Sequence, residues 1–430
     1  MLIIGVLILG VAGYLAYLYV RWQQRQQELS VIVEKRRHER QFLMDAALKS
    51  AELLDAQRRD MIASWTFQQL RENLQSGTVT CIEVLRAYQW KAIKAHEKTN
   101  CITIAAINFF KEAEEWASEW DRKAQEKSFV KPAFFGIPIS LKECVPLEGY
   151  DQTRGFVQDV YAPTKVDAVM VQHVKRLGMI PFVQTNVPQS MLSYSCSNPV
   201  YGTTNNPLDK ERTSGGSSGG EAAIIAAGGS VIGIGGDVGG SIRIPCHFTG
   251  IAGIKPSHLR FSHRGVCGSV PGRPLINSND GPMTVDIETT VDFLREMWRD
   301  DWASVQDPYI PPVLWNEEQY KGGSTYRIGY YVDDGWFTPV PAIQVITAPK
   351  HNVPGKLFAA CCYTAVFNLL DFAAGVVKVT ETTAEDDQKL REEYPETDPW
   401  YRTAKEACKV CSTDYYLMDL VFLTFIKRSR

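Results

Sequence analysis

Residues 212–256 read RTSGGSSGGEAAIIAAGGSVIGIGGDVGGSIRIPCHFTGIAGIKP. The stretch sets two serine sites in glycine: Ser217 and Ser218 in SGGSSGGE, and Ser241 in GGDVGGSIRIP. Between them, AAIIAAGGSVIGIG has the pattern of a short apolar helix followed by a short buried strand. Glycine lets a backbone bend sharply and approach another group closely. Two such loops flanking one helix–strand unit can therefore bring both serine hydroxyls into one pocket with several free N–H groups. A flexible Gly/Ser linker would lack the apolar filling between the loops.

The same alternation continues outward. Residues 136–142 (GIPISLK) read as a short strand, 168–177 as a helix stopped by Gly178, and 179–184 as a buried strand. This predicts an α/β domain with a mixed or parallel sheet surrounded by helices. Upstream, Thr80 and Glu83 form a capping-box pattern opening a helix to about His96. Residues 102–107 suit a strand and 111–127 a helix. Downstream, residues 281–283 (GPM) read as a loop, 291–298 as a helix and 327–332 as a strand. Residues 345–349 and 367–379 read as returning core segments, and 415–426 as a packed terminal helix or an interfacial contact.

The bulk properties set bounds. The chain has 430 residues, 45% of them apolar, and a net charge of -3, which gives no electrostatic case for nucleic acid. Ten cysteines without framework spacing suit reduced, mostly buried thiols in the cytosol. Cys408 and Cys411 form a lone C-x-x-C without a second pair at zinc spacing, so no metal is expected. Residues 2–20 form an uncharged apolar run long enough to cross a bilayer, so residues 1–21 are expected to be a transmembrane anchor. Arg21, Arg25, Lys35, Arg36, Arg37 and Arg40 follow it, which by the positive-inside rule places the body in the cytosol. Residues 22–64 read as a solvated helical stalk.

A serine hydroxyl is a poor nucleophile and needs a positioned base. Among seven histidines only His247 lies close to Ser241, where a packed or capping role also fits. Lys142 ends a buried-looking strand, and a lysine held in apolar surroundings can serve as a base. The alternative for Lys142 is an ion pair with the adjacent Glu143.

Residues 136–142 together with 213–256 resemble the amidase signature family. The shared features are a lysine after G-x-P-x-x-x, the GGSSGGE loop, GDxGGSIRxP and the closing GI-x-G-x-KP. The stretch TNVPQSM at 185–191, CSNP at 196–199 and the N-terminal run are similar to the branch of that family acting on fatty acyl amides. The resemblance implies an amidase-signature α/β fold and a Ser–Ser–Lys triad. Ser241 would be the acylated nucleophile, and Ser217, after a cis peptide, would bridge it to Lys142. The N–H groups of Val238, Gly239, Gly240 and Ser241 would form an oxyanion hole, and Met191 would line the substrate site. Asp237 and Arg243 would form a structural ion pair, and Ser218 would hold the loop. No metal or cofactor is implied. The implied partners are a fatty acyl amide, a lipid bilayer and a second copy of the chain, with an endomembrane location.

The later chain departs from the pattern. Residues 338–344 (TPVPAIQ) join almost directly to residues 345–349, where the family would have a long helical segment. The expected catalytic domain, 65–400, is thus incomplete after about 344, and residues 401–430 form a divergent tail. Two other readings stand beside an active amidase. One is an inactive, membrane-bound lipid binder or regulator. The other is an α/β-hydrolase built on the G-x-S-x-G at 216–220, although His247, His258 and His263 follow too closely for that fold.

Overall fold

The computed structural model describes residues 2–103, 109–268, 276–322 and 362–376, with isolated positions at 351, 388, 392, 397, 402 and 405. The expected segments at 104–107, 327–332, 345–349, 377–379 and 415–426, and the Cys408/Cys411 pair, lie outside these residues. In chain order the helices are α1 (Leu2–Ala51), α2 (Ala56–Ser64), α3 (Phe67–Ser76), α4 (Cys81–Thr99), α5 (Phe109–Lys123), α6 (Val169–Arg176), α7 (Gly219–Ala226), α8 (Arg243–Thr249), α9 (Ile287–Met297), α10 (Trp302–Gln306), α11 (Glu317–Lys321) and α12 (Cys362–Leu369). The strands are β1 (Pro138–Lys142), β2 (Ile180–Thr185), β3 (Ser197–Asn198), β4 (Gly202–Thr203), β5 (Ile232–Asp237), β6 (Ala252–Lys255), β7 (Asn279–Thr284) and β8 (Ala374–Val376).

Six strands form one mixed sheet in the order β2-β1-β5-β7-β6-β8. The β2-β1-β5 side is parallel, and β7, β6 and β8 add in antiparallel fashion. Every residue of β1, β2 and β5 is buried, as strands covered on both faces should be. Helix α4 starts at the capping box formed by Thr80 and Glu83 and buries one face through Val84, Leu85, Tyr88 and Ala92. Full burial of each large apolar side chain on that face contributes about 1.5–3 kcal/mol. The thiols of Cys81, Cys101, Cys144, Cys196 and Cys246 are free and buried, while Cys267 is free and exposed.

Two expectations fail here for physical reasons. Residues 281–283 form no loop. Gly281, Pro282 and Met283 lie within β7, opposite Gly235, Ile234 and Gly233 of β5. The β6 ladder reaches only Met283 and Thr284, so Pro282, which cannot donate an N–H, sits beyond the two-sided part of the pairing. The stalk is also not solvated throughout. Its second half packs on the body, with Leu43, Met44 and Ala47 in the main core cluster. Arg36 is 3% exposed and gives Nη2 to Asp151 Oδ2 at 2.6 Å. Arg37 bonds Val200 O at 2.8 Å, and Arg40 bonds Ile102 O at 3.1 Å. Three of the six basic residues after the apolar run therefore dock the helix to the body.

That run is the start of the continuous α1, and its described side chains begin at Ile8. Among the described residues, no helix is long and apolar enough to cross a membrane.

Candidate active site

The site lies at the C-terminal ends of β1 and β5, where the loops before α7 and α8 meet. Lys142 is the last residue of β1. Its side chain points to the same face as Ser140, because alternate strand residues share a face. Lys142 is 2% exposed, and its Nζ lies 2.7 Å from Ser217 Oγ and 3.0 Å from Gly236 O. The alternative pairing with Glu143 does not form. Glu143 faces the other way and accepts the N–H groups of Thr153 and Arg154. Burial pushes its carboxyl up to about 7, against the pull of those bonds.

The loop entering α7 contains the cis peptide Gly216–Ser217. A Cβ on Gly216 would sit 2.1 Å from Ser193 O, so only glycine fits this close approach. Ser218 holds the two loops together. Its N–H donates to Ser241 O at 3.1 Å, and its Oγ contacts both Gly236 N and Gly236 O at 3.4 Å. Behind Lys142, Glu221 of α7 accepts the hydroxyls of Ser140 at 2.6 Å and Thr185 at 2.9 Å. Burial pushes the Glu221 carboxyl up to about 8, against those two bonds and the nearby Lys142.

Ser241 opens the turn into α8 and is partly exposed. It shares a cavity of about 210 Å³ with Lys142, Ser217, Met191, Val238 and Gly239. Among the described residues no hydrogen bond joins the Ser217 and Ser241 hydroxyls; catalytic hydrogen bonds are often long before substrate binds. The N–H groups of Val238, Gly239 and Ser241 have no acceptor among the described residues. Gly240 differs from the expected set, because its N–H is already given to Asp237 Oδ1 at 2.8 Å. Ser190 and Met191 both adopt positive φ, at 63° and 56°, which turns the Met191 segment toward the cavity.

Asp237 and Arg243 form a fully buried pair, with Nη2–Oδ1 at 2.8 Å and Nε–Oδ2 at 3.0 Å. Burial alone would raise the Asp237 carboxyl. Arg243 and the N–H groups of Gly240 and Ile242 outweigh it and hold the group well below the usual carboxylate range. What holds Arg243 leaves no signal in the sequence. Helix α12 supplies Thr364 O at 2.8 Å and Asn368 Oδ1 at 2.6 Å to its guanidinium. Asn368 Nδ2 returns a bond to Asp237 O at 3.1 Å, and the Thr364 hydroxyl donates to Gly239 O. No motif marks α12, and these partners lie 121–131 residues away in sequence.

His247 is buried on α8 and does not line the cavity, in keeping with a packing role. A second unforeseen pair does line it: His263 Nδ1 meets Asp280 Oδ2 at 2.8 Å. Among the described residues no group of His, Cys, Asp and Glu is arranged to hold a metal ion.

Known proteins are similar to this chain at several levels. Residues 83–350 match the family model described as Amidase. The chain is 42% identical to Fatty acid amide hydrolase 1 of Caenorhabditis elegans, covering 93% of each chain. That match spans 536 aligned positions, more than the 430 residues here, so the relative carries residues opposite gaps in this chain. It is 38% identical to Fatty-acid amide hydrolase 1 of Sus scrofa, over 76% of this chain and 55% of that one. A solved structure of a fatty acid amide hydrolase superposes with a TM-score of 0.71 over 90% of both chains at 20% identity, a likeness of fold.

Proposed function

Because this chain belongs to the amidase signature family of carbon–nitrogen hydrolases, we propose that it cleaves fatty acyl amides by a Ser–Ser–Lys relay. The observation that carries the reading is the 2.7 Å contact between Lys142 Nζ and Ser217 Oγ, buried in the cavity that also holds Ser241. Ser241 Oγ forms the bond to the substrate carbonyl carbon. Its proton passes to Ser217, and the Ser217 proton passes to the Lys142 amine. The carbonyl electron pair moves onto oxygen and is received by the N–H groups of Val238, Gly239 and Ser241. A preorganised donor of this kind contributes about 3–4 kcal/mol. When the intermediate collapses, the C–N bond breaks and the relay returns a proton to the leaving nitrogen. That return matters, since an amide anion is too poor a leaving group to depart unprotonated. Water then enters by the same relay and releases the fatty acid. Asp237 and Arg243 touch no reacting atom in this scheme; they hold the Val238–Ser241 turn in shape.

The relatives named fatty acid amide hydrolases support a long-chain acyl substrate. So does the apolar lining from Met191, Leu192, Val238, Ile244 and Ile276. We extend the proposal to a membrane-bound enzyme with a cytosolic body on an endomembrane. It is supported by the apolar run of residues 2–20 and by the exposure of Ile8, Leu9 and Leu15 on α1. A homodimer belongs to the same proposal. Co-sedimentation with lipid vesicles, lost on replacing residues 2–20 by a polar helix, tests the membrane part.

Labelling with a long-chain fluorophosphonate tests the chemistry. The full chain should label, Ser241→Ala should not, and Lys142→Ala should label at least ~100-fold more slowly, as loss of a general base requires. Labelling that survives Ser241→Ala would remove the nucleophile assignment. A well-folded chain that takes no label would point instead to an inactive lipid-binding protein.

A further inference from the structure

Arg154 stands between two walls of the cavity and is not itself part of the lining. One wall ends in Met191 and Leu192, and the other is the stretch from Val266 to Gly268. Arg154 adopts the left-handed region, at φ 52°, and Gly155 follows at φ 76°. Three bonds hold this turn. Glu143, which follows Lys142 and is 0% exposed, accepts the N–H groups of Thr153 and Arg154. Thr153 Oγ1 accepts the Gly155 N–H at 3.1 Å. The loop is also closed on itself, because Asp151 Oδ2 accepts the Tyr161 N–H at 2.9 Å.

The turn seats the first wall directly. Arg154 O accepts the Ser190 N–H at 3.0 Å, and a Cβ on Gly155 would lie 2.7 Å from Gln189 Cα. Ser190 and Met191, both at positive φ, persist only where the surroundings support them. The guanidinium reaches the second wall. Its Nη1 donates to Cys267 Sγ at 3.3 Å, while its Nη2 is pinned on Asp159 Oδ2 at 2.5 Å. One residue thus joins both walls, through its backbone on one side and its side chain on the other.

We propose that Arg154 is a positioning residue that sets the width of the acyl end of the cavity. The proposal rests on the fatty acyl amide reading above, in which the acyl chain lies on the apolar lining that includes Met191 and Leu192. An apolar chain gains from a wall only where the two touch, because the gain follows the surface removed from water. Replacing the Arg154 side chain leaves its bonds to Glu143 and Ser190, which backbone atoms make, and releases only the Cys267 side. The acyl end then widens while Lys142, Ser217 and Ser241 keep their places. The brace suits arginine in particular. Its rigid fork holds Asp159 and Cys267 at once, whereas a lysine ammonium is a single point on a flexible stem.

The test uses the full chain and two probes of one chemistry, a methyl and a dodecyl fluorophosphonate. Both report attack by Ser241, and only the dodecyl probe needs the acyl walls. Arg154→Leu should label with the methyl probe at the wild-type rate. With the dodecyl probe it should label about tenfold more slowly, the effect of taking about two methylenes out of apolar contact. Hydrolysis of hexadecanamide should show the same split, with KM raised about tenfold and kcat unchanged, as loss of uniform binding requires. Arg154→Lys should recover part of the loss. Asp159→Ala, which unpins the guanidinium from outside the cavity, should shift the dodecyl-to-methyl ratio the same way by a smaller factor. An unchanged ratio in folded Arg154→Leu overturns the proposal, as does equal slowing with both probes, which would mean general damage to the site. If Arg154→Leu does not fold, Asp159→Ala decides, and an unchanged ratio there overturns it. A wild-type chain that takes neither probe would refute the hydrolase reading and the proposal with it, whereas a wild type that takes both, with no change of ratio in the variants, would refute the role of Arg154 alone.

Discussion

Replacing Arg243 by methionine removes the charge while keeping much of the side-chain length. Asp237 would then be a fully buried carboxylate without its cation, since both side chains are 0% exposed. Breaking a buried pair by removing one partner costs about 3–5 kcal/mol. The N–H groups of Gly240 and Ile242 still serve Asp237, which argues for the lower end. Thr364 O and Asn368 Oδ1 lose a donor, which argues against a smaller figure. The sign of the pH dependence reverses as well. In the wild type the folded Asp237 lies below its unfolded value of about 3.9, so its stability contribution is present above that pH and lost only in stronger acid. Without Arg243 burial dominates, and the folded carboxyl rises above the unfolded value. The variant then loses stability as pH rises through that window. Urea unfolding of both proteins at pH 7 and pH 5 should show a deficit of about 3 kcal/mol or more at pH 7 that shrinks at pH 5. A deficit under about 1 kcal/mol, the scale of an exposed pair, or one equal at the two pH values, would refute the reasoning.

Three further outcomes follow from the same geometry. Asn368→Leu should cost about 1–3 kcal/mol in urea unfolding, the range for an unsatisfied buried partner, and should also slow fluorophosphonate labelling, because α12 braces the turn that carries Ser241. Gly239→Ala and Gly240→Ala should separate sharply. A Cβ at Gly239 meets only Ala365 at 3.8 Å, so stability should change by less than ~0.5 kcal/mol. At Gly240, with φ +123°, it would lie 2.5 Å from both Ile244 and Thr364, and thermal unfolding should register a loss of about 2 kcal/mol or more. Glu221→Gln should gain on the wild type as pH rises from 5 to 8. The folded Glu221 carboxyl is raised to about 8, so the wild type loses stability across that window by up to roughly 1.4 kcal/mol per pH unit, while the variant does not. Parallel melting curves for the two proteins over that range would contradict it.

What the chain shows by itself depends on distance along it. Ser217, Ser241 and the turn at 238–240 are legible because glycine spacing is local and backbone geometry demands it. Lys142 is legible because β1 is short, apolar and ends on it. The clamp from Thr364 and Asn368 is not, since ordinary threonine and asparagine residues carry no signature of a partner more than a hundred residues away. His263 and Asp280 escape notice for the same reason, as β7 brings them to the cavity only through its pairing with β5. The Gly281-Pro282 pair shows local turn chemistry losing to tertiary pairing. Arg36 shows a charge that looks solvated in sequence becoming the buried partner of Asp151, 115 residues on.

Helix α1 projects before it docks: residues 8–28 are exposed, and burial begins near residue 29. At 1.5 Å per residue this free length is about 30 Å. The rod does not swivel at a soft joint, because the Arg36–Asp151 pair and the Leu43–Ala47 packing lock it to the same body that carries β1 and its lysine. Whatever surface grips the tip of the rod therefore also sets the compass heading of the cavity mouth, and a twist of the rod would turn the whole enzyme like a key.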